Sequence, residues 1–452
     1  MSGVTVFATV AFIIIYLCIF IFQNARPYIA LAGAAFFIIV GSLGIFPDFT
    51  YTLPMGLGQI DWNVLMMIAG TMGTVSLFID SGMPELMSDI LLSKVHTVKM
   101  MVIVMSVFAG IVSAFVDNVA TVLMIAPVAL SVCKKLKISP IPVIISISLS
   151  SNLQGAATLV GDTTSILLSK AAGLDFMDFF VVDGKPGMFW VTEAGALVSV
   201  LIMLVIFRDQ NQTIEENERT KVEDKVPTIL LLLTILSLIL ASFIPYRDNA
   251  APGQFYKPDI TNGLICITYF VIGLIREVIR TKNMDAVKKA LKELDYYTLL
   301  LLMGLFIIIG AVVEAGLIDE IGGLIAGLSG DGSRLSVFFV YSVIVWMSVL
   351  ASAFVDNIPY TATMLPVVAV VAGRLSAAGT VVPANLLYFG LLVGATLGGN
   401  ITPIGASANI TGIGILKKAG EDVKSSDFMK ISVPFTLGAV TSGWILLWFI
   451  WM

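Results

Sequence analysis

The sequence predicts an all-α polytopic membrane protein, an inverted repeat of five spans plus one re-entrant helical hairpin per half, with broken helices at the membrane midplane. Three observations carry that prediction. The 452 residues are 58% hydrophobic and only 13% charged, with a mean hydropathy of +0.97, too little charge to cover a soluble body of this size. Apolar runs such as "VTVFATVAFIIIYLCIFIF" (residues 4–22) recur along the chain, each long enough to cross a bilayer as a helix. Three motifs also occur twice, in the same order, which marks an internal duplication.

Taken in order, the spans are expected near residues 4–22, 28–46, 62–80, 140–170, 188–207, 227–245, 259–276, 296–314, 384–416 and 430–451. Strands of alternating apolar and polar residues are missing, which argues against a β-barrel. Two further segments, 98–133 and 335–373, lie between the third and fourth and between the eighth and ninth spans. Each carries "SAFVDN", at 113–118 and 352–357, with a proline fourteen residues after its serine, Pro127 and Pro366. Beyond the motif about fifteen residues remain before "KKLK" (134–137) or Arg374, roughly 22 Å as helix and short for a crossing. A hairpin that dips in and returns fits that length.

The repeat sets the architecture. Asp61 in "IDWNVLMMIAG" matches Asp295 in "LDYYTLLLLMG" at an offset of 234. The SAFVDN copies match at 239, and "GAATLVGDTTS" (155–165) matches "GNITPIGASAN" (399–409) at 244. The first repeat is residues 1–207, with hairpin 98–133 and broken helix 140–170. A charged linker, 208–226, leads to the second repeat, 227–452, with hairpin 335–373 and broken helix 384–416. Five spans is an odd number, so the second half starts from the opposite face, the arrangement of secondary transporters.

Charge orients the chain. With both termini outside, twenty of the 26 Lys and Arg residues fall on cytoplasmic segments, among them Arg26, Lys134, Arg208, Arg276 and Lys417. The positive-inside rule therefore predicts a multi-pass cell-membrane protein with a cytoplasmic linker. A net charge of −5 gives no footprint for nucleic acid. Cys18, Cys133 and Cys266 lie far apart, and the single His96 stands near Lys94 and Lys99; neither pattern has metal-ligand or disulfide spacing. Without a Walker loop, a dinucleotide fingerprint or a nucleophile–base constellation, neither an enzyme nor an ATP-driven pump is expected. No cofactor is expected either.

The duplicated motifs place polar groups where hydrocarbon would surround them. At a hairpin tip, Asp117 or Asn118 and Asp356 or Asn357 can cap the helix that follows, and Pro359 suits a first turn. A cap does not require a charge, however, and a midplane carboxylate is unfavourable by several kcal/mol unless it meets a cation, a proton or water. Asp117 and Asp356 are therefore candidate ion-binding residues and the candidate sodium ligands. Segments 140–170 and 384–416 are interrupted by Gly, Thr, Ser and Asn, with Pro403 in the second. Broken helices expose carbonyls that bind cations and N–H groups that favour anions. Asn152, Thr158, Asp162, Thr163 and Thr164 in one half, with Asn400, Thr402, Ser407 and Asn409 in the other, are the candidate liners. Asp162 aligns with Ala406, so the two halves differ here.

Tips, spaced prolines and "GNITPIGASANITGIG" together resemble the ion transporter superfamily over nearly the whole chain. That group includes ArsB-type arsenite permeases, NhaD-type sodium/proton antiporters, citrate-type permeases, the melanosomal P protein and divalent-anion/sodium symporters. The resemblance implies two-fold pseudosymmetry and a hairpin from each face. Its symporter branch implies a homodimer with an elevator-like transport domain. In that branch the tips read Ser-Asn-Thr and hold substrate carboxylates. Here the matching positions are Asp117-Asn118-Val119 and Asp356-Asn357-Ile358, which removes hydroxyl donors and sets two charges against an anion. The Asp-Asn tips are similar to the NhaD and P-protein branches, and "GNITPIGASAN" to the citrate and P-protein side.

The leading expectation is sodium/proton exchange or another proton-coupled ion movement, with sodium or a proton as coupling ion. A sodium- or proton-coupled citrate/dicarboxylate-type permease and an arsenite efflux permease are the alternatives. The partners expected are a small ion or small anionic substrate, the lipid bilayer and a second copy of the chain. The aspartate tips are expected close together at midplane, in a block (98–170 and 335–416) that moves against the other spans.

Overall fold

Short polar side chains start the helices where the apolar runs begin. Ser2 accepts from the Thr5 N–H at 3.1 Å, Asp61 from Val64 at 2.9 Å and Asp295 from Thr298 at 3.0 Å, each satisfying a donor that the first helical turn leaves open. A computed structural model of the chain describes residues 2–213, 220–222, 224–247, 254–330, 332–380 and 382–452. The structure is helical and polytopic. Among the described residues, eleven helices are long and apolar enough to cross a membrane.

The first half runs through α1 (Gly3–Ile21), α2 (Arg26–Ser42), α3 (Leu53–Gly58), α4 (Trp62–Asp80), α5 (Met83–Leu92), α6 (Val98–Ser113), α7 (Asn118–Leu136), α8 (Ile141–Gly155), α9 (Thr163–Ala172) and α10 (Met188–Ile206). A small antiparallel ribbon, β1 (Val181–Val182) with β2 (Lys185–Pro186), precedes α10. The second half follows with α11 (Val226–Ser242), α12 (Thr261–Thr281), α13 (Asp285–Glu293), α14 (Tyr296–Glu314), α15 (Leu317–Gly327), α16 (Arg334–Ser352), α17 (Asn357–Ala377), α18 (Ala384–Leu392), α19 (Ser407–Lys418) and α20 (Ser425–Trp451). Order and character recur from half to half, with short α3, α5 and α9 answered by α13, α15 and α19.

One expectation needs correction. The limbs after the motif are longer than fifteen residues, because α7 has 19 and α17 has 21. At 1.5 Å per residue that is about 28 and 31 Å, enough to cross. The helices run on through Lys134 and Lys135, and through Arg374, because cations in a last turn favour the helix end rather than break it. The first stops at Lys137, in the left-handed region with φ 55°. Limb length therefore does not distinguish a re-entrant hairpin from a crossing.

Packing divides the helices into two groups. In one, α4 lies along α12, α2 along α14, and α1 and α11 flank them. At Gly70 a Cβ would fall 2.4 Å from the Cys266 carbonyl carbon, so this close crossing depends on a residue without a side chain. In the other group, α6 and α7 pack on α8, and α16 and α17 on α18. Against the expected boundary of the moving block, α10 and α20 belong with this second group: they pack on each other and both touch α8. Gly195 meets Ala439 at the α10–α20 contact, and Ser199 donates to the Phe435 carbonyl at 3.2 Å. Exposed Ile13, Leu17, Leu232 and Leu240 face outward on α1 and α11, as lipid requires.

Around the central linker, Val98 and Lys99 N–H groups donate to the Gln212 and Gln210 carbonyls at 3.0 and 2.9 Å. Thr220 donates twice to Asp89, and Arg276 binds Asp224. Burial opposes the Asp224 charge, but the Arg276 guanidinium outweighs it and holds the carboxyl below the usual carboxylate range. Positions 214–219 and 223 of the linker, Arg219 among them, lie outside the described residues.

Candidate functional site

Each tip is built the same way. Asp117 caps α7, its Oδ1 accepting from Val119 and Ala120 N–H groups at 3.0 and 3.1 Å. Asp356 caps α17, its Oδ1 accepting from Ile358 at 3.1 Å. The aspartates are thus the caps, and Asn118 and Asn357 begin the helices.

Each break is locked against its own tip. Thr158 donates to the Ala114 carbonyl and Thr402 to that of Ala353, at matched places in the repeat. A Cβ on Gly161 would stand 2.6 to 3.1 Å from the carbonyl oxygens of Gly155, Ser113 and Ala114. One on Gly405 would stand 2.6 to 2.8 Å from those of Gly399, Ser352 and Ala353. No such contact is tolerable, so glycine is required at both. Ser165 closes the first break onto the Gly155 carbonyl at 3.1 Å, and Asn409 closes the second onto Gly399 at 3.2 Å.

The two halves then meet through amides and hydroxyls. Asn118 donates to Asn152 Oδ1 at 2.9 Å, and Asn152 Nδ2 donates to the Thr396 carbonyl at 2.7 Å and to Asn400 Oδ1 at 3.1 Å. Thr164 lies 2.9 Å from the Thr396 hydroxyl and donates to Asp162 Oδ2 at 2.7 Å, while Asn357 reaches the same oxygen at 3.3 Å. A continuous polar path thus joins one tip to the other. Asp162 interacts electrostatically with both Asp117 and Asp356. Asn118, Asn152, Asp162, Thr164, Asp356, Asn357 and Asn400 are all buried.

Other sequence candidates stand further from this path. Thr158 and Thr402 serve the breaks, as does Asn409. Thr163 is buried in the first turn of α9, and among the described residues its side chain makes no hydrogen bond to the tips. Ser407 does join a tip, donating to Asp356 Oδ2 at 3.1 Å.

Arg26 is the main residue that sequence reasoning misses. Read as a cytoplasmic loop charge, it is in fact buried at the first position of α2, with Nη1 3.1 Å from Asp356 Oδ2. Its pairing takes up the second oxygen of that carboxylate, which corrects the simple picture of two equivalent aspartates. Thr396 is also missed, although the offset of 244 sets it opposite Asn152. Asp117 has different surroundings. It opens onto a cavity of about 300 Å³ shared with Ser76, Asp80, Glu293 and Asp295, and among the described residues no ion pair joins it. The arrangement can hold small ions or polar groups between two capped helix starts, with more carboxylates than guanidinium groups.

A family model described as citrate transporter (CitMHS) matches residues 10–394. The chain is 30% identical to a 46 kDa membrane protein of Mycobacterium leprae, over 98% of each. It is 28% identical to an uncharacterized transporter of Mycobacterium tuberculosis, again over 98% of each. It is 27% identical to the human P protein, over 92% of this chain and 56% of that protein. Among solved structures, the Alcanivorax borkumensis YdaH transporter superposes with a TM-score of 0.56 at 16% identity, covering 94% of this chain and 96% of that one. Neisseria gonorrhoeae MtrF gives 0.55 at 14% identity, over 94% and 95%. At such identities these two likenesses bear on fold alone.

Proposed function

The chain belongs to the CitMHS citrate transporter family of membrane transporters, and from that premise we propose that it is a secondary active, ion-coupled transporter that exchanges sodium for protons or moves another ion with protons. Its family makes it a transporter rather than an enzyme. The observation that carries the ion reading is the charge of the site. Asp117, Asp162 and Asp356 converge there, and Arg26 answers only one of them. A buried excess of carboxylate favours protons or cations over anions. Burial favours the neutral acid and a bound cation favours the carboxylate, so proton and sodium compete for one place.

A second reading, a sodium- or proton-coupled citrate-type anion permease, is favoured by the description of the family model. Arg26 and the amides of Asn118, Asn152 and Asn400 are the groups that would meet a carboxylate. With either substrate we propose both termini outside, hairpins reaching the site from opposite faces, a homodimer, and elevator-type alternation. Removing Arg26 from the loop charges leaves the cytoplasmic excess in place. The experiment is made on the purified full chain in liposomes, with a pH dye inside. Sodium gradients should drive proton movement of opposite direction. Labelled citrate uptake without sodium-linked proton flux would replace the first reading by the second.

A further inference from the structure

The ion pair of Arg26 and Asp356 joins the two packing groups. Arg26 opens α2, in the group built on α2, α4, α12 and α14, whereas Asp356 caps α17, in the group of tips and breaks. Both side chains are buried, at 8% and 4% exposure. The same seam holds a second contact, Tyr16 of α1 bonded to the hydroxyl of Thr363 and to the Pro359 carbonyl. Tyr297, at the start of α14, interacts electrostatically with both members of the pair. Tyr16 stands near the end of α1, Arg26 at the start of α2 and Tyr297 at the start of α14. In the proposed orientation all three lie toward the cytoplasmic ends of their helices. The second tip is therefore level with those ends rather than with the middle of the helices around it.

We propose that Arg26 is a fixed internal counter-ion that latches Asp356 in this conformation, so that Asp356 takes up its proton or monovalent cation only after the block has moved away. This rests on the ion-coupled reading and assigns its carboxylates unequal roles. A guanidinium stays protonated and keeps its charge wherever the block goes. Displacement of the block therefore leaves Asp356 without a cation, in surroundings where a lone carboxylate is strongly unfavourable. A proton or a cation from solution restores neutrality. Arg26 is the first residue of its helix, so its head can reach water along a long apolar stem once the partner leaves. Among the described residues the first tip has no such latch: the matching helix, α12, begins with Thr261. Asp117 accordingly faces the acidic cavity while Asp356 is covered.

Two ligands that compete for one carboxylate, one fixed to the scaffold and one dissolved, make the conformational equilibrium depend on the dissolved ion. The charged and ionisable groups facing Asp356 are Arg26 from α2, Asp162 from the break and Tyr297 from α14, whereas Asp295, which also acts on Tyr297, lies toward Asp117. Ser407 of α19 adds a hydroxyl.

The test uses the full chain in lipid nanodiscs with Tyr16→Cys and Thr363→Cys, Cys18→Ala in the background, and a short bifunctional thiosulfonate. In choline buffer the pair should crosslink efficiently. Arg26→Gln should lower the yield about fivefold or more, the population shift expected when one conformation loses its specific contact, and Arg26→Lys should restore part of it. Adding sodium, or lowering pH, should lower the yield in the parent but not in Arg26→Gln/Asp356→Asn, which carries no charge at either position. That neutral pair also serves where Arg26→Gln alone does not fold, since it leaves no orphan charge: its yield should stay below that of the parent. A parental yield in Arg26→Gln, or in the neutral pair where only that folds, overturns the latch. A sodium or proton response that survives Asp356→Asn overturns the assignment of Asp356 as the ligand. The ion-coupled reading fails separately, if liposomes bearing the parent protein pass no ions while the crosslink still depends on Arg26.

Discussion

Asn152 and Asn400, 248 residues apart, are hydrogen-bonded at 3.1 Å, and the same Asn152 nitrogen reaches the Thr396 carbonyl at 2.7 Å. Because Asn118 donates to Asn152 in turn at 2.9 Å, one amide joins the first tip to the second broken helix. Asn152→Ala should strand all three partners in a buried place, where an unsatisfied polar group costs about 1–3 kcal/mol. We expect a loss of at least about 2 kcal/mol, read as a lower Tm of the purified protein, and transport reduced tenfold or more. Asn118→Ala removes a single bond and should do less. An Asn152→Ala protein that melts with the parent would mean that the amide contributes no net stability.

Legibility in the sequence tracks how local each cause is. A bilayer requires about twenty apolar residues per helix, so α1, α4, α10 and α14 fall where the hydropathy places them. The tips are legible because they occur twice. Asn152, Asp162, Asn400 and Ser407 could be named because Gly, Ser, Thr and Asn interrupt otherwise apolar runs. Arg26 could not. It stands between Ala25 and Pro27 at the edge of an apolar run, where a basic side chain is ordinarily interfacial, and only the return of the chain 330 residues later supplies its partner. The placing of α10 and α20 is likewise a tertiary fact. Their composition matches that of α1 and α11, and nothing local records which neighbours they choose.

The glycines of the two breaks give a prediction that depends on backbone alone. Gly161→Ala and Gly405→Ala each force a Cβ against three carbonyl oxygens, so each should destabilise by about 1–3 kcal/mol or more, as overpacking does. Gly414→Ala has open space around its Cβ and, in the middle of α19, should be neutral or slightly stabilising. The comparison is read from thermal unfolding of the three proteins in one detergent. Equal effects at 161, 405 and 414 would contradict the close packing of break against tip.

The caps and the charges at the tips can be separated chemically. Asparagine caps a helix about as well as aspartate, so Asp117→Asn should keep the tip folded while removing the carboxylate that faces the cavity. We expect a change in stability within about 1 kcal/mol, read from Tm, and a tenfold or greater loss of sodium- and pH-dependent flux. Asp356→Asn should be more destabilising, because it strands the buried guanidinium of Arg26. Unchanged ion dependence in both variants would reduce the aspartates to caps.

The relation of the two packing groups can be tested at a contact that crosses between them. Lys170 of α9 pairs with Asp61, the cap of α4, at 3.3 Å, and Lys170 is half exposed, so a reagent can reach the pair. If the tips and breaks move as one body, Asp61→Cys and Lys170→Cys joined by a short crosslinker should stop transport by at least tenfold, and cleaving the linker should restore it. Within one group the outcome should be opposite. A Cβ on Gly195 lies 3.5 Å from that of Ala439, inside the range a disulfide needs, and both helices pack with the tips. Gly195→Cys/Ala439→Cys should therefore oxidise readily and leave flux nearly unchanged. The two pairs divide the alternatives, because a melting tip would expose unpaired backbone to lipid and would tolerate neither movement nor crosslink in this pattern. Full flux with a verified Asp61–Lys170 crosslink would sink the moving block, and loss of flux from the α10–α20 disulfide would put α10 on the static side.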